Sequence, residues 1–257
     1  MIEDSIAVQV LKIWGASVES VATSKKQESD WFATLSGFRL LIEEKTKLED
    51  PSLTTERDKQ LKTNSVFSST TPLSPNNRIS GIIKKAASQL TSTGADLAHD
   101  ARIVWFTSTG FDAEAKYYQT INTLYGTTKV FVPGAGLPMR ECYFFHHSAF
   151  YRFRDELDGA IIGFINGQTV TIRLCLNPYA KRWKALRDSP FANNLQSAPV
   201  DPIAEEASGE ALLVDSDIDR NQHSAVLEFI RQKYNNERLF NMDMNMASAI
   251  VAVPHER

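Results

Sequence analysis

The stretch Asp30-Trp31-Phe32-Ala33-Thr34-Leu35-Ser36-Gly37-Phe38-Arg39-Leu40-Leu41-Ile42-Glu43-Glu44-Lys45 decides how the rest of the chain is read. Two apolar runs of strand length flank Ser36-Gly37, and the second closes on Glu-x-Lys. Successive side chains on a strand point to opposite faces, so Glu43 and Lys45 share one side and Glu44 takes the other. Pairing the two runs about Ser36-Gly37 carries Asp30 to the strand end beside Glu43. Two carboxylates and an ammonium then crowd one sheet edge. Hard oxygen ligands suit Mg²⁺, and a lysine beside such an ion can position or deprotonate a water, which is the equipment of phosphodiester hydrolysis. The competing reading is a solvated strand end carrying a surface ion pair of little energetic weight.

Upstream, apolar residues recur at Ile6, Val8, Val10, Leu11, Ile13, Trp14 and Val18, which predicts a helix from Ser5 to about Val21, capped by Asp4 or Ser5. Glu19 falls near the end of that helix. Ser24 to Ser29, with Lys25 and Lys26, reads as a polar connector. Downstream, Thr46 to Asn77 is rich in Lys, Glu, Ser, Thr, Pro and Asn and reads as a mobile insertion at about 46–78, with a short charged helix over Glu49 to Lys62. Ile79, Ile82, Ile83, Ala86, Ala87 and Leu90 mark an amphipathic helix, with Lys84, Lys85 and Gln89 on or beside it. Ala101 to Ser108 has the apolar density of a central strand. A helix over Asp112 to Tyr125 and a strand over Lys129 to Val132 follow. Strands alternating with helices argue for crossover units and a mixed sheet with helices on its faces.

The second half is less regular. Tyr143 to Phe153 is dense in aromatics and holds His146-His147. Adjacent histidines on a strand face opposite ways, so a buried or half-buried role outweighs a separate metal centre there. His99, His223 and His255 read as surface or cap residues. Ala160 to Leu176 is a β-hairpin about Asn166-Gly167, a pair suited to a tight primed turn. An acidic connector from about Ala192 to Asp219 breaks the pattern. It leads to a helix over His223 to Tyr234 and a strand around Ile250 to Val253. The domain reading is a core over 1–133 and a C-terminal extension over 134–257 packed on it.

With 257 residues, 42% hydrophobic and 23% charged, the chain is long enough for one well-buried core. A net charge of −3 does not mark a nucleic-acid binder, although it is compatible with a local basic face. Lys84-Lys85, and Lys181, Arg182 and Lys184 with Arg187, are candidates for phosphate contacts, and Trp183 for base stacking. Solvated helical faces are the competing reading. Cys142 and Cys175 have no ligand spacing and read as buried free thiols, so a zinc site is not expected. Neither a basic, apolar leader nor an uninterrupted apolar run of ~18 residues is present, so a reducing, cytoplasmic setting and no membrane partner are expected. Gly-x-Ser-x-Gly is missing, and Gly134-Ala135-Gly136 lacks the Gly-Lys-Ser/Thr of a phosphate loop.

The order helix, strand with Asp30, strand with Glu43-x-Lys45, helix with Gln89, apolar strand resembles the PD-(D/E)xK nuclease superfamily over residues 5 to 133. The chain departs from the family pattern at three places: Ser29 stands where Pro is frequent, Thr93 replaces a Tyr four residues past Gln89, and the segment from Lys45 to Ile79 is long. The resemblance implies an α/β fold with a restriction-endonuclease-like core, a mixed central sheet flanked by helices, and a mixed α+β C-terminal extension. It implies Mg²⁺ or Mn²⁺ held by Asp30 and Glu43, with the Glu44 carbonyl as a further ligand and Lys45 activating water. Glu19 would assist through metal-bound water, and Gln89 matches a polar residue of RecB-like members. DNA is the implied substrate, and a homodimer is compatible with the family's habits. A non-catalytic interaction module on the same scaffold is the alternative, motivated by the acidic balance and the poorly patterned second half.

Overall fold

Ser36 and Gly37 both adopt positive φ, 49° and 81°, the backbone of a tight hairpin turn whose twist matches the strands it joins. The computed structural model describes residues 4–21, 28–47, 51–63, 66–134, 136, 138–195, 197–242 and 246–252. The expectations placed on Lys25, Lys26, Glu49, Val253 and His255 lie outside the described residues.

Helix α1 (Ile6–Ile13) starts at Ser5, whose hydroxyl accepts the Val8 amide at 3.4 Å. It is shorter than its sequence predicts. Gly15, at φ 81°, turns the chain just past the helix end, and Val18 and Glu19 belong to strand β1 (Ser17–Ser20). Strand β1 pairs antiparallel with β2 (Trp31–Leu35), and β2 pairs antiparallel with β3 (Phe38–Lys47). The segment read as a mobile insertion carries helix α2 (Pro51–Thr63) and strand β4 (Val66–Pro72). Strand β4 is ordered by a partner remote in sequence, as shown by the Thr70 and Ser248 hydroxyls 3.1 Å apart.

Helix α3 (Asn77–Gly94) precedes strand β5 (Ala101–Ser108), which lies parallel to β3. Helix α4 (Ala113–Tyr125), strands β6 (Thr128–Phe131) and β7 (Met139–Tyr143) and helix α5 (Ala149–Arg152) lead to β8 (Gly159–Asn166) and β9 (Thr169–Leu176). Asn166 is still paired, to Thr169, so the hairpin turns on Gly167-Gln168, one residue later than Asn166-Gly167. Gly167, at φ 60°, supplies the positive φ there. The connector expected from Ala192 to Asp219 instead holds α7 (Pro190–Asn193), after α6 (Trp183–Arg187), then α8 (Pro202–Ala207) and β10 (Ala211–Leu213). Helix α9 (His223–Lys233) and strands β11 (Phe240–Met242) and β12 (Met246–Ala252) are the last described elements, and β12 is the antiparallel partner of β4.

Among the described residues the central sheet has six strands, in the order β1-β2-β3-β5-β8-β9. It therefore extends beyond residue 133, and the second half of the chain supplies two of its strands. A second sheet, β10-β7-β6-β11, is held against α9 through Val226, Ile230 and Leu212 in a cluster that also includes α3 and α4. On the other face of the central sheet, α1, α6 and α7 bury Leu11, Leu186 and Phe191 with Leu40, Ile42 and Trp105. The protein is an α/β fold with a mixed central sheet flanked by helices. Both cysteines are buried free thiols, raised in pKa by that burial. Among the described residues no helix is long and apolar enough to cross a membrane.

Candidate functional site

Alternation along β3 sorts its side chains. Leu41 joins the α3/α4 cluster, whereas Leu40 and Ile42 join the α1 cluster. Glu43 and Lys45 therefore share the Leu41 face, and Glu44 takes the α1 face. One step beyond the Trp31–Ile42 pair, Asp30 stands opposite Glu43; its amide donates to the Ile42 carbonyl at 3.2 Å. The Asp30 carboxylate Oδ2 accepts the Glu44 amide at 2.8 Å, which fixes the acid beside the strand. Asp30, Glu43 and Lys45 are thus brought together.

The Lys45 ammonium donates to Oε1 of Glu43. Glu43 is 0% exposed, and its Oε2 has no hydrogen-bond partner among the described residues. Burial pushes the Glu43 carboxyl up to about 7; the Lys45 hydrogen bond opposes this, and the Asp30 charge adds to it. A buried carboxylate with an unmatched oxygen is costly unless a cation or proton compensates it. Two oxygen acids and that orphan atom fit a hard divalent cation. Among the described residues no three carboxylate, imidazole or thiolate groups gather around one point, so water or main-chain carbonyls would complete any coordination shell.

Helix α3 braces the approach to Asp30. The Gln89 amide donates to the Glu28 carbonyl at 3.0 Å, and the Thr93 hydroxyl accepts the Ser29 amide at 2.8 Å. Gln89 therefore positions the segment that carries the acid. Thr93, which stands where the family pattern has Tyr, does the same, and its i+4 spacing from Gln89 puts both on one helix face.

Glu44 is half-buried. Its carboxylate accepts from the Ser5 hydroxyl at 2.5 Å, the Ala7 amide at 3.2 Å and the Trp31 indole at 2.8 Å. It ties α1 to the sheet. Glu19 is not helical: it lies exposed on edge strand β1 opposite Phe32, on the Glu43 face but two strands from β3.

The two basic clusters do not form one surface. Lys84 and Lys85 are exposed on α3, whereas Lys181, Arg182 and Lys184 lie at or just before α6, across the sheet. Trp183 packs against the α1-side core, with the Arg187 guanidinium 5.3 Å and the Lys184 ammonium 5.7 Å from its ring. It is half-buried. His146 and His147 sit in the β7–α5 loop rather than on a strand; His146 is half-buried and His147 exposed, and both line one cleft of about 760 Å³. His99 is also half-buried, its Nδ1 2.7 Å from the Leu97 carbonyl oxygen. Compared with protein-family models, with curated proteins and with solved structures, the chain matches none.

Proposed function

We propose that the chain is a metal-dependent nuclease that hydrolyses DNA phosphodiester bonds on a restriction-endonuclease-like core. The observation that carries this reading is the buried Glu43, which faces Asp30 and keeps one oxygen unmatched while Lys45 engages the other. The antiparallel β1–β2–β3 with β5 parallel to β3 supports it, because it sets Asp30, just before β2, opposite Glu43-x-Lys45 on β3, with Gln89 on α3.

Asp30 and Glu43 would hold Mg²⁺ or Mn²⁺, which supplies charge neutralisation at the phosphate and a more acidic water. The residues' own contributions follow from their places. Burial keeps the Glu43 carboxylate oriented and poor in competing hydrogen bonds. Asp30 is fixed through the Glu44 amide. Lys45, 27% exposed, reaches from the buried acid to the solvent side, where its ammonium can orient a water or a phosphate oxygen. The exposed lysines Lys84 and Lys85 are candidates for backbone contacts of DNA.

The alternative is an interaction module without catalysis. It is favoured by the Glu43–Lys45 pair, which partly neutralises the acid without any ion. One experiment separates the two: cleavage of plasmid and single-stranded DNA with Mg²⁺ or Mn²⁺, run beside metal titration calorimetry on the wild type, Asp30→Ala and Lys45→Ala. The nuclease reading expects metal binding that Asp30→Ala weakens and cleavage that both substitutions remove. Absence of metal binding with equal background cleavage in all three assigns the module.

A further inference from the structure

The strongest feature outside the Asp30–Glu43 site is the cleft between the β7–α5 loop, helix α5 and the β10–α9 loop. Its volume is about 760 Å³, and it continues into a second hollow of about 710 Å³ through shared walls at His146, His147, Arg152 and Arg220. Asp30, Glu43 and Lys45 line neither hollow.

The walls are held in place by main-chain features. Phe144, fully buried at the start of the histidine loop, has φ 60°, a left-handed conformation that is costly for an aromatic residue. The His146 amide donates to the Gly126 carbonyl at 2.8 Å. A side chain at Gly126 would meet the His146 carbonyl oxygen at 2.3 Å, so only glycine lets the loop lie so close. Opposite, the Arg220 guanidinium donates to the carbonyls of Ser216 at 2.6 Å, Ile218 at 2.5 Å and Val214 at 3.3 Å, folding the β10–α9 loop around itself.

Charge in the cleft is uneven. Asp217 accepts the Tyr151 hydroxyl at 3.0 Å, and Asp219 accepts the Asn221 amide at 3.0 Å. Among the described residues neither pairs with an arginine. The exposed Arg152 has its guanidinium 5.4 Å from the centre of the Phe153 ring. Arg154 lies 4.7 Å over the Tyr151 ring and donates to the Tyr151 carbonyl at 2.9 Å. Two guanidiniums with no carboxylate partner among the described residues, beside His147 and an exposed tyrosine, make a receptor for a phosphate joined to an aromatic ring. The cleft's volume falls in the range of small-ligand sites.

We propose that this cleft binds a nucleoside phosphate, with Arg152 and Arg154 on the phosphate and Tyr151 against the base. The proposal is independent of the nuclease reading. Its test is titration calorimetry of the whole chain at low salt with AMP, ADP, adenosine, inorganic phosphate and a short single-stranded oligonucleotide. AMP or ADP is expected to bind more tightly than about 1 mM, and adenosine far more weakly. Arg152→Gln and Arg154→Gln are each expected to weaken that binding by at least about tenfold, while Glu43→Gln leaves it unchanged. Both arginines are exposed, so their variants are expected to keep the wild-type melting temperature. Should one melt early, Arg152→Lys, which keeps the charge and loses the fork, gives the same reading. No mononucleotide binding, binding that survives both substitutions, or binding of the oligonucleotide alone would overturn the proposal.

Discussion

Glu43 and Glu44 are chemically identical neighbours on one strand, and the two faces of the sheet treat them oppositely. Toward α1, the Glu44 carboxylate is met by a hydroxyl, an amide and an indole, which together spread its charge over three donors. Toward α3 and α4, Glu43 finds one ammonium and leaves an oxygen bare in an apolar surround. A carboxylate whose acceptor sites are filled is part of the architecture. One that is buried and half-filled is a candidate for work, because the missing partner has to come from outside the chain.

The contrast is most strongly tested by activity. Asp30→Ala, Glu43→Ala and Lys45→Ala are expected to lower DNA cleavage by on the order of 10²–10⁴-fold with the fold intact, measured on plasmid with Mg²⁺. Wild-type rates in all three would leave the Glu43 face without a catalytic role.

Glu44→Ala is expected to act on stability instead. It strands the Trp31 indole and the Ala7 amide, at a cost of roughly 1–3 kcal/mol in urea unfolding, while the folded fraction keeps its cleavage rate. A catalytic defect larger than the loss of folded protein would erase the distinction between the two faces.

The pH dependence of stability sharpens it further. Glu43 titrates near 7 in the folded chain against an ordinary value of 4.5, so the folded state keeps a proton that the unfolded chain has lost. That contribution is complete below 4.5 and disappears as pH rises through 7. In the presence of a chelator the melting temperature is expected to fall over this window, by the equivalent of about 1–3 kcal/mol, and the fall is expected to vanish in Glu43→Gln. Mg²⁺ is expected to restore stability at pH 8 in the wild type alone. A pH profile identical in Glu43→Gln would show that another group carries it.

The smallest effect belongs to the brace. Thr93→Val and Gln89→Ala each remove one hydrogen bond to the segment before Asp30, and about 0.5–1.5 kcal/mol of stability is expected to go with each. A several-fold loss of cleavage should accompany them if the brace sets the acid's position. Unchanged cleavage would make α3 merely supporting structure.

Much of this was written locally. The hairpin about Ser36-Gly37, the strand Ala101–Ser108, the helices α3, α4 and α9 and the strand pair β8–β9 follow from hydrophobic period and turn chemistry, which act over a few residues. The juxtaposition of Asp30 with Glu43 and Lys45 was legible for the same reason, since hairpin register is a local property. Where local signals were weak, the reading failed. Strand β1 reads as helix because its four residues follow an apolar run of helical spacing. Strand β4, polar and Ser/Thr-rich, owes its order to β12, and α8 and β10 lie in a stretch with too short a pattern to read.

The residues alone determined which side chains share a face of β3, because a strand's alternation is built into its covalent geometry. Tertiary structure decided what each face meets: an α1 start rich in donors for Glu44, and an apolar helical layer with one lysine for Glu43. It also decided that His146, His147, Arg152 and Arg220 border a single cleft. Those outcomes depend on contacts between segments far apart in the chain, where burial and desolvation rather than sequence spacing set the energy.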